Sequence, residues 1–199
     1  MPIDVKSHGL NNKLTADDEF LAQGEGSIVF NGDNNVVHVA PGCSGGAINF
    51  TLGSNSTVEI GPKCFLRSLS IHTAQRGVVK IGDETGIGGL VRLLLHEPGR
   101  IEVGKRCLFA GGTDLSVSDM HSIVDASTGA RLNPAQDIRL GDRVWVGVDA
   151  MILKGVTVGR ECVIGARSIV TNDIPQNTVA AGNPARVVRT NVSWDFNLL

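Results

Sequence analysis

The sequence predicts an all-β fold, a parallel β-helix of hexapeptide repeats. Three observations predict it. From residue 140 to 170 every sixth residue is aliphatic, in the series Leu140, Val146, Ile152, Val158, Ile164 and Val170. Glycine follows four of these leads, at Gly141, Gly147, Gly159 and Gly165. Four positions after each lead stand Val144, Ala150, Val156, Cys162, Ser168 and Ile174, all small or β-branched. A period of six is neither the 3.6 of a helix nor the 2 of a hairpin strand. It is the period of short strands wound into stacked coils. Composition agrees: 25 glycines, no tyrosine and 4% aromatics suit a narrow lumen filled by aliphatic side chains and turned at permissive corners.

Residues 1–27 are polar and lack the repeat, and are expected to form an N-terminal cap or arm. The hexads begin near Ile28 and run to residue 189, a β-helix domain. Ile60 with Gly61, Ile81 with Gly82, Ile87 with Gly88 and Val103 with Gly104 carry the pattern in the first half. The phase resets several times, near 72–77 and 97–99, and each reset is expected to mark a loop bulging from a corner. Three hexads per coil give about eight or nine coils, stacked about 4.8 Å apart. After Leu115 the next lead falls on His121, and the pattern then vanishes over 122–137. A long excursion, about 121–137, inside a solenoid is usually functional. Residues 190–199 form a short C-terminal tail. Its Trp194 and Phe196 are expected to dock on the solenoid end or on a neighbouring chain, because an open end leaves unpaired strand edges.

At 199 residues one domain with a real core is expected. The net charge of −2 offers no basic footprint for nucleic acid. Charge is uneven, net −4 over residues 1–33 and net +3 over 138–189. That is compatible with solvated corners and with a polyanion site on the C-terminal half. No apolar run approaches membrane length and no signal-peptide pattern opens the chain, so a cytosolic protein with no membrane insertion is expected. Cys43, Cys64, Cys107 and Cys162 each stand four residues after an aliphatic lead, at the small corner position. Without a CxxC they are expected as buried small hydrophobes, not zinc ligands or disulfides. Gly86 to Gly89 is glycine-rich but follows no βαβ pattern, so a dinucleotide site is not expected.

The stretches SDMHSI (118–123), GDRVWVGVDAMILKGVTVGRECVIGARSIVTNDIP (141–175) and AAGNPARVVR (180–189) resemble the hexapeptide-repeat O-acetyltransferases. The similarity is to those of the galactoside and maltose type and those acting on capsule or O-antigen sugars. It is strong over 115–189 and rests on period alone over 28–114. It implies a left-handed coil, a homotrimer with sites in the clefts between subunits, and acetyl-CoA as the acyl donor. A histidine triad for zinc, as in the carbonic anhydrases of this fold, needs two histidines five apart. His72, His96 and His121 have no such spacing, and no metal is expected.

The resemblance places the general base on His121. A sugar hydroxyl is a poor nucleophile until its proton is removed during attack on the thioester, and imidazole suits that task. Relatives often carry Pro after this histidine, where this chain has Ser122. Ser118 and Asp119 flank it; Asp119 either orients the imidazole, holds an acceptor hydroxyl, or forms a plain turn. Asp114 and Asp125 are weaker candidates of the same kind. The oxyanion donor is implied near Gly147 and Val148, backbone amides on a rigid coil, with Trp145 beside the pantetheine and the acceptor. Ala166 is implied to meet the pantetheine through its backbone. Thr171 and Asn172 match a Thr-Lys pair near the nucleotide, with Asn172 replacing the lysine, so Arg167, Arg186 and Arg189 carry more of the phosphate charge. The expected activity is transfer of acetyl from acetyl-CoA to a sugar hydroxyl in surface-polysaccharide synthesis. The rivals are an N-acetyltransferase acting on an amino sugar or other small acceptor, and a non-catalytic scaffold or binding module.

Overall fold

The computed structural model describes residues 2–199. It is nearly all β, a left-handed parallel β-helix of about eight coils. The first half contains β1 (Asp4–Ser7), β2 (Lys13–Thr15), α1 (Asp18–Gln23), β3 (Glu25–Phe30), β4 (Val36–Val39), β5 (Ser44–Ser54), β6 (Thr57–Ile60), β7 (Phe65–Gln75), β8 (Gly77–Ile81), β9 (Gly86–Leu95) and β10 (Gly99–Val103). The second half contains β11 (Leu108–Phe109), β12 (Thr113–Ser116), β13 (Ile138–Leu140), β14 (Trp145–Val146), β15 (Met151–Leu153), β16 (Thr157–Val158), β17 (Val163–Ile164), β18 (Ile169–Val170), β19 (Thr178–Gly182) and β20 (Ala185–Thr190). One side of the prism is the sheet from β2 through β4, β6, β8, β10 and β13 to β16; the other two sides share the sheet that starts at β1. Strand pairing is parallel until the last step, where β20 folds back antiparallel on β19.

Register explains the core. Ile28, Phe50, Ile71, Leu93, Leu115, Ile152 and Val170 stack one per coil. Val37, Val58, Val79, Ile101 and Ile138 form a second column, and Leu66, Ile87, Phe109, Val146, Ile164 and Ala180 a third. All of these residues are buried, each large one contributing about 1.5–3 kcal/mol of apolar burial.

The same register corrects the expected coil length. The first column passes from Ile28 to Phe50, Ile71, Leu93 and Leu115, each interval longer than three hexads. From Ile152 to Val170 it advances by three hexads and no more. The phase reset near 72–77 is therefore not a loop, while that near 97–99 is a three-residue bend, 96–98, between β9 and β10. The strands β5, β7 and β9 are 10 or 11 residues long and bend across a corner without a break, so each early coil carries a small surplus over three hexads.

The pairing also starts earlier than the hexads predict. β1 pairs with β3 and β2 with β4, so a first coil already exists between residues 4 and 15. Its Val5 pairs with Ile28 and its Leu14 with Val37, so it continues two of the columns, although all four residues of β1 are exposed. Helix α1 then closes the lumen mouth by burying Phe20. Gly45 leaves the space, since a Cβ there would stand 2.8 Å from the Phe20 ring.

The four cysteines fall in a single corner column with Thr85 and Val144 between them. All are free thiols. Cys43, Cys64 and Cys107 each donate to a glycine carbonyl one coil on, at 3.2, 3.3 and 3.3 Å. A small side chain with a weak donor is what this corner accepts. The tail docks on the flank of the solenoid, not its end. Trp194 is buried there, and its indole N–H donates to Arg143 O at 2.6 Å. Arg143 lies 5.2 Å over the Trp194 ring and pairs with Glu161 at 2.7 Å. Phe196 meets Trp194 edge-on but remains half exposed.

Candidate active site

The excursion leaves the solenoid after β12 and returns at β13. Its outgoing stem carries Ser118, Asp119 and His121, and its returning stem carries Arg131 and Asn133. A small antiparallel bridge, Val124 with Arg131, joins the stems. Two ion pairs tie them to the coils on either side. Arg131 grips Glu97, at the end of β9's coil, through two contacts of 2.6 Å. Lys154, just after β15, pairs with Asp119 and donates to Asn133 O at 3.0 Å. Arg131, with help from the Ser118 hydroxyl, holds the Glu97 carboxyl down at about 2. Lys154, and then Asn133, hold Asp119 below the usual carboxylate range.

His121 is exposed, and its imidazole has no hydrogen-bond partner among the described residues. It does not occupy the inward lead position that the repeat would give it; Val117 is the last buried apolar residue before the excursion. Under the excursion lies a cleft of about 270 Å³ lined by Leu94, His96, Asp114, Ser118, Asp119 and Met151, among others. His121 stands outside that lining, two residues beyond Asp119. Asp114 is nearly buried and is held by a two-pronged contact from Arg92. Asp125 sits at the tip of the excursion and is a turn former. It accepts from Ser127 N at 2.9 Å and Thr128 N at 2.8 Å, and the Ser127 hydroxyl and these amides keep it at about 2. A larger depression of about 870 Å³ at the N-terminal end, beside Ile3, Asp4 and Glu25, contains none of the residues the sequence singled out.

A second group lies one corner away. Gly111, Val148 and Ala166 stack in register at the corner after β11, β14 and β17. Gly147 N–H already donates to Ile164 O at 2.8 Å, so of the pair Gly147 and Val148 only Val148 has an amide free of the coil ladder. A Cβ on Gly147 would stand 2.7 Å from Ala166 N, which is why the corner carries glycine. Asp149 and Arg167 turn the corner at φ 57° each and share a 3.4 Å contact. Trp145 is exposed on the flank, its ring 6.1 Å from Trp194. The third group lies at the C-terminal end. Asn172, Arg186 and neighbours line a cleft of about 310 Å³. Asn172 donates to the Thr171 hydroxyl at 2.9 Å, and Arg189 is exposed on β20.

The profile described as "Bacterial transferase hexapeptide (six repeats)" matches residues 137–172. The polysialic acid O-acetyltransferase of Neisseria meningitidis is 30% identical over 148 residues, covering 74% of this chain and 68% of that protein. The chain belongs to the hexapeptide-repeat acetyltransferase family. The polysialic acid O-acetyltransferase of Escherichia coli O1:K1 is 34% identical over 116 residues, 58% of this chain and 38% of that longer protein. The crystal structure of the polySia specific acetyltransferase NeuO superimposes with a TM-score of 0.86 at 30% identity, covering 98% of this chain and 90% of that one.

Sequence reasoning missed Asn133, Lys154, Glu97 and Arg131, and weighed His96 only as a metal ligand. Asn133 precedes Pro134 and reads as a turn former. Lys154 lies inside the family-like stretch and counts there only as a charge. Glu97 falls in a phase reset that looked like a loop. His96 stacks with His72 at 4.7 Å between ring centroids; burial and the neighbouring His96 push the His72 imidazole down. No cluster of three or more metal-binding side chains occurs among the described residues, and no helix there is long and apolar enough to cross a membrane.

Proposed function

We propose that this chain transfers an acetyl group from acetyl-CoA to a sugar hydroxyl in surface-polysaccharide synthesis, as a homotrimer with His121 as general base. The observation that carries the reading is the excursion itself, which exposes an imidazole with no hydrogen-bond partner among the described residues, two residues beyond an Asp119 that lines a cleft, and is tied to the coils on both sides. The activity of the polysialic acid O-acetyltransferases among its relatives supports the acceptor class.

In this mechanism His121 takes the hydroxyl proton as the oxygen attacks the thioester carbonyl carbon. The oxyanion of the tetrahedral intermediate meets the Val148 amide, whose N–H is not engaged in the ladder. Collapse breaks the carbon–sulfur bond, and the imidazolium returns its proton to the leaving thiolate. Transfer is direct. The Ser118 hydroxyl is committed to Glu97 and accepts from Met120 N at 2.9 Å, and the cysteines lie in a corner column away from the excursion. Trp145 and the backbone at Ala166 line the path of the pantetheine. Thr171, Asn172, Arg186 and Arg189 meet the nucleotide end, with Arg186 and Arg189 as its cations and Arg167 shared with Asp149.

His121→Ala tests this. Turnover is expected to fall by about 10²–10⁴-fold while CoA binding, read by calorimetry, stays within twofold. Near-normal turnover in that variant refutes the assignment of the base.

A further inference from the structure

We propose that Asn133 is the positioning residue that holds His121 in place, one carboxamide fastening both stems of the excursion; this rests on His121 being the base. Asn133 is nearly buried in a segment whose neighbours are exposed. Its Nδ2 donates to His121 O at 2.9 Å and to Asp119 Oδ2 at 2.8 Å. Its Oδ1 accepts from Ile123 N at 2.7 Å. One side chain thus binds residues 119, 121 and 123, alternate positions along the outgoing stem, and uses both of its donors. Lys154 completes the clasp by reaching both Asp119 and the Asn133 carbonyl.

No apolar packing competes for this role. Met120, Ile123, Val124 and Leu132 are all exposed, so the stem is fixed by polar contacts. The imidazole has no partner of its own among the described residues, so its placement is inherited from a backbone that Asn133 grips. The clasp also assigns Asp119. Its carboxylate takes Lys154 and Asn133 and makes no hydrogen bond to the imidazole, so it acts on the stem and not on the ring.

The test is a double-mutant cycle with His121→Ala and Asn133→Ala, scored by initial rates, with hydrogen exchange over residues 118–125 as a second readout. A misplacement of about 1 Å is worth up to about 10²-fold in rate. Asn133→Ala is therefore expected to lower kcat by about 10–100-fold, with KM for acetyl-CoA within twofold and faster exchange at 118–125. In the His121→Ala background it is expected to change the residual rate by less than twofold, because it acts through that histidine. Lys154→Met is expected to move kcat in the same direction by a smaller factor, which keeps the proposal testable if Asn133→Ala folds poorly. Losses that add in the double variant, or unchanged kcat in Asn133→Ala, overturn the proposal while leaving His121 as the base. Full activity in His121→Ala overturns the base assignment instead, whatever Asn133 does.

Discussion

Gly147→Ala is a sharp probe of the coil stacking at the candidate site. A Cβ on Gly147 would lie 2.7 Å from Ala166 N, 2.9 Å from Ile164 O and 3.0 Å from Ala166 Cα, all backbone atoms of the next coil. Ordinary contact begins at 3.4 Å, so that coil must give by about 0.7 Å. The movement stretches the 2.8 Å bond from Gly147 N to Ile164 O toward about 3.4 Å, where it is weak. The lost ladder bond costs about 1 kcal/mol and the overpacking about 1–3 kcal/mol, about 2–4 kcal/mol together. For a chain of this size each kcal/mol moves Tm by about 2–4 °C, so a fall of about 4–16 °C is expected. The control is Gly88→Ala, two coils earlier in the same column. A Cβ there meets only Phe109 O, at 3.5 Å, and its effect is expected within about 0.5 kcal/mol. Circular-dichroism melts at one fixed protein concentration compare the two. Melting of Gly147→Ala within about 2 °C of Gly88→Ala would refute the close-packing argument.

The excursion should loosen in acid. Glu97 and Asp119 are both depressed in the folded protein, so their contribution is full above the ordinary carboxylate range and is lost as pH falls through the folded values. Protection factors over 118–135, with the intrinsic pH dependence of amide exchange divided out, should stay flat from pH 8 to about 4.5 and fall toward about pH 2; Glu97→Gln should show the low protection already at pH 7. The cysteines should alkylate in order. Cys43 is partly exposed, and its contact with Cys64 holds its thiol at about 7, whereas burial pushes Cys107 up to about 12. Mass spectrometry after brief iodoacetamide treatment at pH 7.5 should find Cys43 modified first and Cys64, Cys107 and Cys162 only on unfolding. Modification of Cys107 at the rate of Cys43 would contradict the corner packing.

The stretch from Leu140 to Val170 was legible because each coil there advances by three hexads, so a period of six runs unbroken along it. The N-terminal half was not, because its longer coils break that phase once per turn. Its true repeat, Val37, Val58, Val79 and Ile101, shows only at a lag of a whole coil. The first coil escaped notice for a different reason. Its leads Val5 and Leu14 align with Ile28 and Val37 only across helix α1, which breaks the run of hexads between them. At the site, His121 was visible through its family-like surroundings. Its support was not, since Asn133, Lys154 and Glu97 come from distant parts of the chain and each looks ordinary in its own stretch. Gly147 was expected to offer its amide, but the ladder had already taken it, a fact that depends on which carbonyl the next coil presents.

The change of coil length has a consequence for how such a site arises. Leu115 and Ile152 are stacked neighbours although the whole excursion intervenes between them in sequence, and the girth of the prism shrinks across that step. The excursion therefore grows from a ledge, where a wide barrel meets a narrower one. At a ledge the outer contour is already interrupted while the lumen columns pass through undisturbed. Segments can lengthen, shorten or be exchanged there without any inward side chain changing its neighbours, so the excursion can vary freely beside a frame that stays the same.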